Sequence, residues 1–372
     1  MSRFLFNLFL FFTPLTFIWI FPLYVYWEGH EFVSIDRVIE TQRGSKQLLF
    51  GLAYSNVDRA YKIRLTADRK PSIIALGNSR VMEVRKEFFH EPENFINAGG
   101  AASSLQDAVL FVDALPKDNL PRVLILGVYP GYFQPQKSGI VDEGTLAFRL
   151  RSFFAVRWRQ VYIDYFTGKF TLSQLSLSKN SYFVGLNALI SREGYLNDGS
   201  YYYGKVVNDP LRVSNLETAE EIGVSNINKR TRGSVNDPVL PEENFRALEI
   251  LLELCKDNNV HVVGFIPPDR YAVSRKVISP YMQLVSSIAP RARDIFGRFG
   301  FSLFDYTGSY TAGVEGTEFI DADHPSDKAT LRLLIDMTMH DDILAGHVHI
   351  SHLRSLLTKT KGDFVITDAE IQ

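Results

Sequence analysis

Ser72-Ile73-Ile74-Ala75-Leu76-Gly77-Asn78-Ser79-Arg80 is the stretch that decides the fold. Up to Leu76 it is a short apolar run without polar alternation, the pattern of a strand covered on both faces of a parallel sheet. Gly77 permits a sharp turn, and polar residues follow where such a strand hands over to a helix. Outward from it the same rhythm recurs. Asn94 to Ala98 reads as a second strand. Ser103 to Leu115 reads as a helix with Leu105, Val109 and Val112 on one face, and Arg122 to Gly127 as a third continuous apolar strand. Beyond Pro241, which suits a first helical turn, Glu242 to Asn258 is predicted helical. His261 to Ile266 is a strand closed by Pro267-Pro268, and Ser274 to Phe299 is largely helical with breaks or kinks at Pro280 and Pro290. Ser302 to Tyr306 is a short strand, and Asp327 to His340 a helix with Ser326 or Asp327 as its N-cap. Strands alternating with helices predict an α/β chain with a parallel sheet and helices on both faces.

Two stretches depart from the rhythm. Residues 136–240 are rich in aromatics, Asn, Asp, Ser and Gly and read as an insertion; residues 31–70 are mixed, with a helical pattern around Ile39 to Leu52, and read as a membrane-proximal connector. Ahead of them, Phe4 to Trp27 contains no charged residue. As a helix this run reaches about 36 Å, enough for a hydrocarbon layer of about 30 Å. It ends in Tyr24, Val25, Tyr26 and Trp27, an aromatic belt rather than a small-residue cleavage site. Arg3 precedes it and Glu28 and Glu31 follow, which favours an N-terminus in the cytoplasm. The expected layout is a signal anchor at 1–30, the connector at 31–70, core at 71–135, insertion at 136–240, core at 241–345 and a tail at 346–372. That is a single-pass inner (cytoplasmic) membrane protein with its C-terminal domain outside the cytoplasm.

The 372 residues suffice for one large or two modest domains, and a net charge of -2 offers no field to attract nucleic acid. The single cysteine, Cys255, lies in a helical apolar pattern, which excludes an internal disulfide and suits a packed core residue.

Two motifs far apart in the chain carry chemistry. Ser79 follows the first core strand, where open parallel sheets place their sites. A serine hydroxyl needs a base to take its proton, usually histidine, and that histidine needs a carboxylate on its other nitrogen. Asp321-Ala322-Asp323-His324 offers both, with Asp321 and His324 three residues apart; Asp323 is the less suited partner because neighbouring side chains point apart. Arg80, beside Ser79, can bind a substrate anion or steady the loop by pairing with a carboxylate.

Gly77-Asn78-Ser79-Arg80 and Asp321-x-x-His324, with Asn97-Ala98-Gly99-Gly100-Ala101-Ala102-Ser103-Ser104-Leu105-Gln106-Asp107 as a second block, resemble the SGNH (GDSL-type) hydrolase superfamily. The nearest likeness is to its membrane-anchored members associated with bacterial surface polysaccharide. The resemblance covers about 71–135 and 241–345. It implies a three-layer α/β/α, flavodoxin-like parallel sheet with Ser79 as nucleophile, His324 as base and Asp321 as its orienting partner. It also implies oxyanion or substrate contacts from Asn78, Arg80, Gly99, Gly100 and Ala102, and neither metal nor other cofactor. Where the family usually places an oxyanion-hole glycine this chain has Ala102. Where a third-block asparagine is usual it reads Gly127-Val128-Tyr129-Pro130-Gly131-Tyr132-Phe133.

The expected function is a membrane-anchored serine esterase or O-acyltransferase moving an acyl group, with acetyl foremost, on a cell-surface or exopolysaccharide. A membrane-bound acyl-transfer partner belongs to that picture. The missing third-block asparagine keeps a second reading open: a catalytically inactive SGNH-like glycan-binding or scaffold protein of a polysaccharide export or modification complex. Tyr195, Tyr201, Tyr202 and Tyr203 suit sugar stacking or a packed lid. Arg149, Arg151, Arg157 and Arg159, interleaved with Phe153, Phe154 and Trp158, suit anionic lipid, glycan or a solvated helix face. His347, His349 and His352 lack the partners of a zinc set.

Overall fold

A computed structural model describes residues 2–44, 46–135, 144–176, 182–209, 211–212, 216, 240–270, 273, 280–307 and 311–366. The chain divides into two compact units, Met1–Val57 with Asp142–Asn197, and Asp58–Val141 with Asp198–Gln372. The stretch read as one insertion is therefore shared between them, and most of 210–239 lies outside the described residues.

The larger unit is built on five strands, β1 (Ile73–Gly77), β2 (Phe95–Gly99), β3 (Val123–Gly127), β4 (His261–Ile266) and β5 (Ser302–Asp305). All pair in parallel, in the order β2-β1-β3-β4-β5. Strand residues alternate between two apolar layers. Ile74, Leu76, Leu124 and Leu126 face helices α2 (Leu105–Asp113), α3 (Glu242–Asp257) and α4 (Pro280–Phe299). Ile73, Ala75, Val123 and Ile125 face α5 (Asp327–His340) and α6 (Ile350–Lys359). Both faces are dry, which is why β1 and β3 read as unbroken apolar runs. Cys255 is buried in the first layer.

Each core strand and helix expected from sequence is present within a residue or two, save that 274–279 lie outside the described residues. Ser326 Oγ accepts the Ala329 N–H and so caps α5. Pro290 sits inside α4. Two expectations need correction. Asp58–Arg69 is a helix of the larger unit, α1, not part of a connector, and it buries Tyr61, Lys62, Leu65 and Thr66. The helix expected around Ile39 to Leu52 runs instead from Ile35 to Gln42, and Leu49–Phe50 is a strand. Ser34 stops that helix from starting later, because its hydroxyl accepts the Arg37 N–H at 3.3 Å.

The smaller unit opens with the helix Ser2–Glu28. Among the described residues no helix is long and apolar enough to cross a membrane. The side chains at 5, 8–12 and 14–17, which carry much of the apolar run, lie outside that description. After this helix the chain is organised by the buried Glu31. Its carboxylate accepts the N–H groups of Leu186 at 2.8 Å, Ala53 at 3.0 Å and Tyr54 at 3.2 Å. Arg149, itself buried, donates to the carbonyls of Glu31 and Val33. Phe50 pairs with Tyr195 and with Val184, so a small sheet joins the early and late parts of this unit.

Candidate active site

β1 ends at Gly77, and a single 3-10 turn, Ser79–Val81, follows at once. The turn folds back over the strand so closely that a Cβ on Gly77 would stand 2.6 Å from Val81 Cγ2, which explains the glycine. Asn78 caps the turn by accepting the Arg80 N–H at 3.1 Å. The buried Asn97 of β2 holds the loop from below, its amide donating to the carbonyls of Val81 and Val84, both at 2.8 Å. This location is the outer end of β1 beside β3, where the order of addition switches from one side of β1 to the other and leaves a crevice for ligands.

The second motif comes from the turn that leads into α5. Phe319 and Pro325 pair as an isolated antiparallel bridge, and the Ile320 N–H donates to His324 O at 2.8 Å. Inside this turn Asp321 accepts the N–H groups of Asp323 at 2.8 Å and His324 at 2.9 Å. Its carboxylate also lies 2.8 and 2.9 Å from His324 Nδ1. The other ring nitrogen, Nε2, is 2.7 Å from Ser79 Oγ. Ser79, His324 and Asp321 are thus brought into a hydrogen-bonded chain by residues 245 apart in sequence. Partial burial opposes ionisation of Asp321, but the hydrogen bond and charge of His324, with the two backbone N–H groups, outweigh it and hold the carboxyl below the usual carboxylate range. With Nδ1–H donating to that carboxylate, Nε2 is left as the acceptor for the serine hydroxyl.

Asp323 takes another role. It accepts from Arg80 at 2.9 Å, tying the turn that carries His324 to the loop that carries Ser79, while the Arg80 guanidinium also lies 4.9 Å from the centre of the Tyr129 ring. A second tie is buried: Arg85 lies between Glu83 at 2.6 Å and Asp327, the first residue of α5, at 3.4 Å. Glu83 has its carboxyl pushed up to about 8, by burial first and by the nearby Asp327 and Asp198, against the pull of Arg85.

The remaining predicted residues are at the site but engaged. Gly100, at φ +87°, turns the loop after β2 so that the N–H groups of Gly100 and Ala102 both reach Gly77 O, at 2.9 and 3.2 Å. The Gly99 N–H donates to Asn97 Oδ1 at 2.7 Å. These donors lock β2's loop to the end of β1. The Ser79 N–H and the Asn78 side-chain NH2 have no acceptor among the described residues. Within Gly127–Phe133, the buried Tyr132 hydroxyl donates to Ala102 O at 2.9 Å and accepts the Asn78 N–H.

The sequence marks the tyrosines of 195–203 for sugar stacking or a packed lid, and the structure fastens 198–203 beside the two motifs. Asp198 accepts the Lys86 N–H and presents its carbonyl to the Asn97 N–H, and Arg85 donates to Ser200 Oγ and Tyr201 O. That network sets Tyr203 with its ring 6.5 Å from the His324 ring. Tyrosine clustering was the only signal for it. Elsewhere, Arg270 spends its guanidinium on the carbonyls of Gly316 and Leu216, a structural fastening. His347 and His349 gather around His90, with ring centres 6.3 and 4.8 Å away, and among the described residues no group of His, Cys, Asp or Glu is placed to hold a metal ion.

No family model matches the chain, and neither a curated protein nor a solved structure matches it.

Proposed function

We propose that the larger unit is an SGNH-type, flavodoxin-like serine esterase or O-acyltransferase, held outside the cytoplasm by residues 1–30 and acting on acyl esters of a cell-surface or exopolysaccharide. The single observation that carries the reading is the continuous Asp321–His324–Ser79 chain, with 2.7 Å between the serine oxygen and the histidine nitrogen. Ser79 Oγ attacks the ester carbonyl carbon while its proton passes to His324 Nε2, and Asp321 stabilises the imidazolium through Nδ1. The carbonyl π electrons move onto oxygen, where the Ser79 N–H and the Asn78 amide are the donors at hand. Collapse expels the sugar hydroxyl, which takes the proton from His324, and leaves an acyl-serine. Water or a second sugar hydroxyl, deprotonated by His324, then completes hydrolysis or transfer. No step requires a metal or cofactor. Acetyl is the acyl group proposed first; the aromatic neighbours of the two motifs are Tyr203, with its ring 6.5 Å from that of His324, and Tyr129, beneath the Arg80 guanidinium. The anchor is supported by the uncharged run Phe4 to Trp27 and its aromatic end.

The test is release of acetate from a small acetyl ester by the full chain and by Ser79→Ala. Loss of about a thousandfold or more in the variant is expected. Activity that survives the substitution overturns the assignment. Absence of turnover in both, together with retention on an acetylated polysaccharide, selects the inactive glycan-binding or scaffold module instead; the engaged N–H groups of Gly100 and Ala102 are what favour that second reading.

A further inference from the structure

The smaller unit carries a surface that the acyl chemistry does not use. Helical residues Leu146–Ser152 run through a π-helical turn, Phe153–Arg157, into Trp158–Phe166. A π turn inserts one residue and rotates the following face. Here it lets Phe153 bury against Tyr26 and Phe32 while Phe154 and Val156 point outward. Further along, Ile163 and Phe166 are also exposed, Phe166 to 78%. Single exposed apolar residues are ordinary, but Val156, Ile163 and Phe166, seven and three residues apart, fall on one side of the run, with the half-exposed Phe154 beside Trp19 of the first helix.

The same run is fastened to the first helix. Trp19 packs on Phe153, Phe154 and Trp158, Phe21 packs on Tyr162 and Tyr165, and the Tyr162 hydroxyl donates to Ile18 O at 3.0 Å. Ile18 and Phe21 stand six to nine residues before Trp27. At 1.5 Å per residue that is about 9–14 Å down the helix from its aromatic end. Ile18 and Ile20 are themselves exposed, so the apolar surface continues from one helix onto the other. From 144 to 163 there is no acidic residue, and Arg151 and Arg159 are exposed beside the aromatics.

We propose that residues 146–166 are a membrane-contact element that lies in the outer interface of the bilayer against the anchor. Phe154, Val156, Ile163 and Phe166 enter the boundary between headgroups and acyl chains, and Arg151 and Arg159 meet anionic headgroups. The depth fits, because interfacial helices bury their apolar face by about 5–10 Å, and the cationic margin is what such helices carry. This assignment rests on the anchored reading of residues 1–30 and is independent of the acyl chemistry.

The natural cysteine makes the test clean, since burial pushes the Cys255 thiol up to about 12 and leaves it unreactive. An environment-sensitive fluorophore is placed on Phe166→Cys, Ile163→Cys, Phe6→Cys or, as a control in the larger unit, the exposed Leu110→Cys. The full chain is reconstituted in vesicles of phosphatidylcholine and phosphatidylglycerol, with or without lipid spin-labelled on the acyl chain. Spin-labelled lipid is expected to quench the probes at 163 and 166 by about twofold or more, as for a group at the acyl boundary, and to leave the probe at 110 unchanged. Quenching at 6 without quenching at 163 and 166 overturns the inference and leaves the anchor standing. No quenching at any position removes the anchor and the inference together. Protection of 163 and 166 from a water-soluble maleimide without lipid quenching shows that protein covers the face, and also overturns it.

Discussion

The loop that presents Ser79 and the turn that presents His324 are held in opposite ways. The Ser79 loop is one 3-10 turn that, beyond its own Asn78 cap and Val81 pressed onto Gly77, is held from a distance by Asn97 of β2 and, through Arg85, by Ser200 and Tyr201. Those anchors are buried. The base turn is fixed by its own residues, from the Phe319–Pro325 bridge to the N–H groups that Asp321 gathers, and its Asp321 side chain is about half exposed. A site so built should lose its fold when the first loop is cut and its chemistry when the second is cut.

The largest effect falls on the base turn. Asp321→Asn keeps the shape but reverses the donor–acceptor sense at Nδ1, so kcat on an acetyl ester should fall by about 10⁴. Because the side chain is half exposed, the same variant should unfold within about 1 kcal/mol of the parent. An equal fall in stability would erase the contrast. The Asp321 carboxyl lies below the usual range, so it stays ionised as pH falls to about 4, and activity lost above that pH is not its protonation.

Asn97→Leu tests the other side. It strips partners from the carbonyls of Val81 and Val84 and from the Gly99 N–H in a dry interior. A loss of about 3 kcal/mol or more in denaturant unfolding is expected, with activity falling in step.

Glu83→Gln sharpens the picture of the buried tie. The folded carboxyl titrates at about 8, well above an ordinary glutamate, so its favourable contribution is complete below about pH 4.5 and is lost as pH rises through 8. The parent should therefore lose on the order of a few kcal/mol between pH 5 and 9 relative to the variant. Denaturation midpoints at the two pH values read this directly, and parallel curves would refute it.

The smallest effect belongs to Asp323→Asn. Its bond to Arg80 joins the two loops, but Asp323 is 57% exposed on its side chain. About 0.2–1 kcal/mol of stability and a few-fold in kcat are expected, both shrinking in high salt.

Much of this was legible from residue order because sheet burial leaves a direct trace. Ile73 to Leu76 and Val123 to Leu126 are unbroken apolar runs since both faces are covered. The serine and histidine motifs were legible because each is local. The helix Asp58–Arg69 was not, because the inward face of that helix includes Lys62, a charge where an apolar stripe is sought. Only the fold reveals why it is tolerated: its ammonium donates to the carbonyls of Asn97 and Gly199. Burial lowers the amine to about 7 against the opposing charges of Asp58 and Asp198. The N–H groups of Gly100 and Ala102, expected at an oxyanion, donate instead to Gly77 O, an acceptor on another strand that residue order does not bring near them.

The strand order also sets a timetable for synthesis. β3 is complete at Gly127, but its neighbour β4 begins only at His261, more than 130 residues later. At roughly 5–20 residues per second, the ribosome needs on the order of ten seconds to supply it. A sheet formed from the first three strands alone would have Val123-Leu124-Ile125-Leu126 as its open edge, unpaired and apolar, the kind of template on which chains stick to one another. A chaperone shielding that edge would matter more to yield than the stability of the finished protein.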